Sequence, residues 1–143
     1  MRKKILIVED NTELLELLRQ AVKEAGFTVV TATNGLEALD QAKAVVPDLV
    51  VLDLVLPELD GFAVCETLRR NPAMANTPII LLTGLSSEFT RYAGIESGGD
   101  EYVTKPSSPS HLVSRIRYWL ENPPASRTSG TEFGTRLSRS SAY

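Results

Sequence analysis

Apolar residues come along this chain in short unbroken runs: Ile5-Leu-Ile-Val8, Phe27-Thr-Val-Val30, Leu49-Val-Val-Leu52, Ile79-Ile-Leu-Leu82 and the weaker Tyr102-Val103. Runs of this length, rich in leucine and β-branched residues, predict strands buried on both faces. The segments between them have helical spacing. The first places Leu14, Leu18, Ala21, Val22 and Ala25 on one face, with Asn11 as its cap, Glu13 in its first turn and a stop at Gly26. A second runs from near Asn34-Gly35 through Leu36, Leu39 and Ala42 to Pro47, and a third carries Phe62, Cys65 and Leu68 ahead of Asn71-Pro72. A fourth starts near Ser86-Ser87, includes Phe89 and Tyr92, and closes at Gly98-Gly99. Its internal Gly94 costs about 1 kcal/mol relative to alanine, which predicts the least stable helix of the set. The fifth opens with Pro109 in its first turn and bears the stripe Leu112, Val113, Ile116 and Leu120.

Strand and helix alternate throughout, which predicts a parallel sheet, because parallel neighbours need crossover connections and these are nearly always right-handed. The expected class is α/β, with helices on both faces of the sheet. The βα units fill residues 1–121. Residues 122–143 begin Asn-Pro-Pro and continue rich in Ser, Thr, Gly and Arg, so they are expected to be a linker or disordered tail. The passage Gly130-Thr-Glu-Phe-Gly-Thr135 could even be a cloning remnant.

Composition narrows the function classes. With 143 residues, 43% of them hydrophobic, the chain can bury one ordinary core and little more. A net charge of -3 provides no broad footprint for nucleic acid, so direct DNA or RNA binding by this domain is not expected. The single cysteine, Cys65, excludes an internal disulfide and reads as core. Basic Met1-Arg-Lys-Lys4 is followed by too short an apolar stretch for a signal peptide, and no later run approaches membrane-spanning length. A soluble cytoplasmic protein is the expectation.

In an open parallel sheet, ligands bind outside the carboxyl ends of the strands, which directs attention to the residues closing each apolar run. Glu9-Asp10 close the first, Asp53 the third, Thr83 the fourth and Lys105-Pro106 the fifth. With a strand order such as 2-1-3-4-5, these carboxylates, a hydroxyl and an ammonium converge on one rim. Unscreened, such carboxylates repel strongly: two unit charges 4 Å apart interact by about 4 kcal/mol at an effective dielectric of 20. Mg²⁺ relieves this, since it takes hard oxygen ligands and needs only one or two carboxylates supplemented by a phosphoryl oxygen. Lys105 can neutralise phosphoryl charge and Thr83 can donate its hydroxyl, leaving Asp53 as a nucleophile able to form an acyl phosphate. Taken singly, each residue has a plainer role: Asp10 as a helix cap, Thr83 as a strand residue, Lys105 as a solvated cation. Their convergence on one rim is what carries the functional reading.

These pieces, Glu9-Asp10, Asp53-Leu-Val-Leu-Pro57-Glu-Leu-Asp60-Gly61, Thr83-Gly84 and Tyr102-Val-Thr-Lys105-Pro106, resemble the signature of bacterial two-component response-regulator receiver domains over about residues 3–121. The resemblance implies a flavodoxin-like (βα)5 three-layer sandwich with a parallel sheet in order 2-1-3-4-5 and a cis peptide before Pro106. It implies Asp53 as phosphoacceptor, Glu9 and Asp10 as the acidic Mg²⁺ pocket, and the backbone carbonyl of Val55 as a further metal ligand. Thr83 and Lys105 would bind the phosphoryl group, and Thr83 and Tyr102 would form the switch. Implied partners are a sensor histidine kinase or phosphotransfer protein and a downstream protein target. The passages Arg91 to Tyr102 and Leu112 to Arg117 resemble receivers that dimerise weakly on phosphorylation through the fourth helix, fifth strand and fifth helix. Charge pairs from Asp100 or Glu101 to Arg115 or Arg117 would serve there, although His111 replaces the usual acidic residue.

Other roles compete. Tyr102 suits a half-buried strand position with a wet hydroxyl, His111 suits a solvated surface, and Trp119 suits a cover for the sheet edge or tail. The alternative is the receiver part of a larger regulator, a DNA-binding one included. A Mg²⁺-dependent phosphatase with an aspartyl-phosphate intermediate is a rival of another class, but in haloacid-dehalogenase-like enzymes a second Asp follows two residues after the nucleophile. Here that position is Val55, which cannot shuttle a proton. A non-enzymatic regulator that assists its own phosphorylation and dephosphorylation is therefore expected. A flavin or dinucleotide module is disfavoured, because Glu9-Asp10-Asn11 would repel phosphates without a metal.

Overall fold

The computed structural model describes residues 2–57, 59–84, 88–105 and 107–124. Its strands are β1 (Lys4–Val8), β2 (Thr28–Ala32), β3 (Leu49–Leu52), β4 (Ile79–Thr83) and β5 (Glu101–Thr104). The helices are α1 (Thr12–Glu24), α2 (Gly35–Val45), α3 (Gly61–Arg70), α4 (Glu88–Glu96) and α5 (Pro109–Glu121), with one 3-10 turn at Pro72–Met74. All strands pair in parallel in the order β2-β1-β3-β4-β5. The expected α/β flavodoxin-like arrangement is present.

Alternate residues of the central strands bury opposite faces, which is why their sequences show no polar alternation. Ile5, Ile7, Leu49, Val51, Ile80 and Leu82 pack with Leu15, Leu18 and Val22 of α1 and Leu112 and Ile116 of α5. Leu6, Val8, Val50, Leu52, Ile79 and Leu81 pack on the other side with Ala38 and Ala42 of α2 and Val64, Cys65 and Leu68 of α3. Each large aliphatic side chain buried in this way contributes roughly 1.5–3 kcal/mol. Burial on both faces holds for β1, β3 and β4 but not for the edge strands, where Thr28 is exposed and Val29 to Thr31 are half-buried. An edge strand lacks a neighbour to complete its cover.

Local stops and caps follow the sequence. Asn11 Oδ1 accepts the Leu14 amide at the start of α1, Gly26 ends it at φ 103°, and Ser108 with Pro109 opens α5. Leu15 rather than Leu14 is the more deeply buried residue of the first turn. In α2 the buried stripe is Gly35, Ala38 and Ala42, leaving Leu36 54% exposed. Small residues win that face because the connection after β3 crosses it closely: a Cβ on Gly35 would lie within 2.4 Å of the Leu59 carbonyl oxygen. Gly94 has a similar reason, since a Cβ there would meet Leu81 Cδ1 at 2.7 Å. What looked like a propensity fault is the condition for α4 to lie against β4. Leu85, Ser86, Ser87, the Phe89 side chain, Pro106 with its expected cis peptide, and the tail from residue 125 lie outside the description. Among the described residues no helix is long and apolar enough to cross a membrane.

An ion pair that the hydrophobic pattern conceals ties the lower part of the fold together. Arg69, on the last turn of α3, is buried and places Nη2 2.7 Å from Oδ2 of buried Asp100, just before β5. The same guanidinium donates to the carbonyls of Met74, Thr77 and Gly98, and Asp100 Oδ2 also accepts the Ile79 amide. This corrects the expectation that Asp100 is available for pairing with another chain. Removing one partner of a buried pair leaves the other uncompensated, so Arg69→Met should lower unfolding stability by about 3–5 kcal/mol, read from urea denaturation midpoints.

Candidate functional site

The carboxyl ends of β1 and β3 lie side by side, Val8 paired with Leu52, so the residues that follow them share one rim. Backbone bonds extend the sheet one step further there. The Glu9 amide donates to Ala32, the Asp53 amide to Val8 and the Lys105 amide to Thr83. Glu9 and Asp53 are thereby pulled inside, at 2% and 3% exposure, while Asp10 stays exposed. Beyond Asp53 the chain folds back at once. Gly61 donates its amide to the Leu54 carbonyl, and a Cβ on Gly61 would stand 2.3 Å from the Asp53 carbonyl oxygen. Asp60 caps α3 through the Ala63 amide. The sequence signal for this close return was the Asp60-Gly61 pair, a cap followed by a residue without a side chain.

Each carboxylate has a defined set of partners. Asp53 Oδ1 accepts the Val55 amide at 3.0 Å, and Oδ2 accepts the Lys105 ammonium at 2.9 Å. Glu9 Oε2 accepts the Asn11 amide. Lys105 Nζ also lies 2.6 Å from Glu9 Oε1, but outside hydrogen-bonding angles: that enclosed oxygen makes an ionic contact and accepts no directed bond among the described residues. Lys105 thus bridges Glu9 and Asp53, a pairing that strand-end positions alone did not reveal. The available signal was electrostatic, since a lysine placed on a rim with carboxylates and no cation has them as its nearest counter-charges.

These contacts set the protonation balance. Burial pushes the Glu9 carboxyl above the ordinary glutamate range; Lys105 and the Asn11 amide pull it part of the way back, and the Asp53 charge adds to the rise. Burial is also the largest single influence on Lys105 and pulls it down, but Glu9 and Asp53 together outweigh it and hold the ammonium above the ordinary lysine range. Because the folded value exceeds the unfolded one, the stabilisation from this ammonium is complete below about pH 10.4 and disappears as pH rises through the folded value.

Glu9, Asp10 and Asp53 each present an oxygen, all within 4.8 Å of one another. An all-oxygen donor set of this charge, with a buried oxygen lacking a directed partner, fits a hard divalent cation such as Mg²⁺. Val55 places its amide on Asp53 and is itself 54% exposed. Thr83 is fully buried at the end of β4. Tyr102 lies two residues back along β5 from Thr104, the partner of Thr83, and is half-buried against the core under α2 and α3. Desolvation raises its phenol, partly offset by Arg91. His111 is exposed in the first turn of α5, and Trp119 donates Nε1 to Glu101.

Comparison with known proteins agrees with this geometry. Residues 5–117 match the response regulator receiver domain. The alkaline phosphatase synthesis transcriptional regulatory protein PhoP of Bacillus subtilis is 44% identical over 117 residues, covering 82% of this chain and 48% of the relative. The DNA-binding response regulator MtrA of Mycolicibacterium paratuberculosis is 39% identical over 117 residues, 82% of this chain and 51% of its own. The chain spans about half the length of these curated relatives. Among solved structures, a putative response regulator from Chloroflexus aurantiacus superposes with TM-score 0.80 at 34% identity, covering 85% of this chain and 99% of that one.

Mg²⁺ should raise the melting temperature by preferential binding to the folded rim. With Glu9 titrating above its ordinary range, protons compete with the metal at pH values where free glutamate, at about 4.3, is already ionised. The Mg²⁺-induced shift measured by calorimetry should therefore shrink on acidification from above that range. In Glu9→Gln the shift should be smaller and lose most of its pH dependence.

Proposed function

The chain belongs to the response regulator receiver domain family, and from that premise we propose that it is a phosphoaspartate switch that takes a phosphoryl group on Asp53 and changes its partner-binding face. One observation carries the assignment to Asp53: its carboxylate is fixed between the Val55 amide and the Lys105 ammonium, with oxygens of Glu9 and Asp10 within 4.8 Å. Response regulators work with histidine kinases and downstream targets, and the donor here is a phosphohistidine or a small acyl phosphate. Glu9, Asp10 and Asp53 with the Val55 carbonyl would hold Mg²⁺, which supplies charge neutralisation at the transferring phosphoryl group. An Asp53 oxygen attacks phosphorus, the bond to the donor breaks, and an acyl phosphate remains. Lys105 then exchanges its carboxylate contact for a phosphoryl oxygen, and the Thr83 hydroxyl donates to another. Tyr102, against the same core, follows the position of Thr83.

We further propose residues 1–121 as the bounds of the receiver. Within it, activity extends to assisting phosphorylation and dephosphorylation of Asp53 rather than turnover of external esters, because the Val55 side chain relays no proton. DNA contact, which the printed name of MtrA carries for a protein of which the match covers 51%, is not assigned to this domain.

A weak homodimer on the face of α4, β5 and α5 is part of this proposal, and the internal contacts bear on its strength. Glu101 already accepts both Arg115 Nε bonds, at 2.8 and 2.9 Å, together with Trp119 Nε1. Pairs across an interface must replace contacts made within one chain, and exposed ion pairs contribute only about 0–1 kcal/mol each. With Asp100 buried and His111 unable to accept from Arg91 as a carboxylate does, association should be close to the monomer side.

Acetyl phosphate with Mg²⁺ should add one phosphoryl group by mass, and Asp53→Asn or chelation should abolish the addition. Val55→Asn should speed loss of the phosphoryl group roughly tenfold, equivalent to about 1.4 kcal/mol of water orientation, in a phosphate-release assay. Sedimentation of the phosphorylated chain should show a largely monomeric species that His111→Glu shifts toward dimer; a dimer indifferent to Arg115→Ala would refute this interface.

A further inference from the structure

The end of the sheet opposite Asp53 carries a cleft for which the chemistry of the rim has no use. Lys3, Asp48 and Pro78 stand just ahead of β1, β3 and β4, and with Val46, Trp119 and Pro123 they border a space of about 380 Å³. That volume is in the range of ligand-binding clefts. Val46 is 44% exposed there on a left-handed backbone, φ 50°, a conformation that β-branched residues rarely adopt. Trp119 gives its only polar side-chain atom to Glu101, so it meets the cleft as apolar ring. Asp48 is the one acid on the described wall. Its Oδ2 accepts the Lys4 amide at 2.8 Å, and Oδ1 accepts no bond among the described residues. Lys3 is exposed and keeps its charge in water.

The chain itself leads into this cleft. α5 closes where Asn122 Nδ2 donates to the Tyr118 carbonyl at 2.9 Å, and the backbone at Asn122 has left helical geometry, with φ -127° and ψ 65°. Pro123 and Pro124 follow. Each fixes φ near about -65° and donates no amide, so the chain leaves α5 extended instead of resuming a helix. Pro123 lines the cleft, Pro124 is half-buried, and residues 125–143 continue from that point. Ala125 and Ser126 are small, and Arg127 is the first charge after them. From Pro124 to Arg127 an extended chain covers roughly 9 Å, before the arginine side chain is counted. Opposite charge stands in the cleft at Asp48.

We propose that this cleft is the seat of the chain's own continuation: residues 125–129 lie across it, with Arg127 paired to Asp48 and the ring of Trp119 covered. A single ion pair at such a mouth contributes little, so apolar contact with Val46 and Trp119 supplies most of the hold. The strap sends whatever follows it away from the end of the sheet opposite Asp53, which leaves the acidic rim clear for a phosphodonor. It stands independently of which residue accepts the phosphoryl group.

Trypsin reads the seat directly, because the same tail supplies its own controls in Arg136 and Arg139. Brief digestion of the full chain, followed by mass measurement, should show cleavage after Arg127 about tenfold slower than after either of those. Asp48→Asn keeps an oxygen for the Lys4 amide and removes only the charge. It should speed cleavage after Arg127 about threefold, within what one exposed ion pair contributes, and leave the other two rates unchanged. Trp119 is the only tryptophan, so its emission is a second readout. Arg127→Glu changes no residue of the sheet or helices; it should increase acrylamide quenching of Trp119 and move its emission to longer wavelength, with circular dichroism unaltered. Cleavage after Arg127 as fast as after Arg136 in the unaltered chain would overturn the proposal. So would an Asp48→Asn chain cut no faster, or Trp119 quenching that Arg127→Glu leaves the same. Protection of Arg127 that grows with chain concentration would overturn it as well, since the occupant would then be a second copy.

Discussion

Repulsion among carboxylates at the ends of adjacent parallel strands is the constraint around which this molecule is arranged. β1 and β3 cannot pair in register without bringing Glu9 and Asp53 together, and Asp10 adds a further negative charge at the opening. At 4 Å and an effective dielectric near 20, each such pair would cost about 4 kcal/mol, a large fraction of the net stability of a small domain. Lys105 offsets this by reaching both buried carboxylates from the end of β5. The offset is incomplete: Glu9 keeps a raised affinity for protons and an oxygen without a directed bond. A rim that is tolerable but electrostatically unsatisfied is well suited to a cation and a phosphoryl group, because either one improves on what the protein alone supplies.

The rest of the fold holds that rim in place. Apolar side chains on both faces of β1, β3 and β4 fix the strand positions, so that the strand ends are set by packing rather than by the charges themselves. Glycines bring backbone where side chains would block it: Gly61 beside Asp53, Gly35 beside Leu59, Gly94 and Gly99 over Leu81. Repulsion at one edge is matched at the other by the Arg69–Asp100 pair, which gathers the loops entering β4 and β5. One end of the sheet carries incompletely offset charge; the other holds a buried, hydrogen-bonded ion pair.

The exposed face between these edges is less free than its charge pattern suggests. Glu101, Arg115 and Trp119 form one internal network, with Arg115 also stacked 4.5 Å from the Tyr118 ring centroid. A partner docking there competes with contacts already made.

The sequence by itself determined the layered α/β fold and the membership of the rim, because both depend on local signals. A short apolar run bounded by turn residues reads as a strand, and a run that ends abruptly in Glu9-Asp10, Asp53, Thr83 or Lys105 places those groups where parallel strands emerge. Caps and stops such as Asn11, Gly26 and Pro109 are local in the same sense. Tertiary structure alone decided which groups meet across the chain. No local signal pairs Arg69, on the last turn of α3, with Asp100, which the charge pattern offered to another chain; the packed fold brings them within 2.7 Å. Leu36 reads as core until the close crossing at Gly35 assigns the buried face of α2 to smaller residues. That Lys105 lies between Glu9 and Asp53 follows only once strand order brings the ends of β1, β3 and β5 to one rim. Periodicity specifies which way a residue faces within its own element, whereas pairing of charges depends on distances between elements that only the packed chain defines.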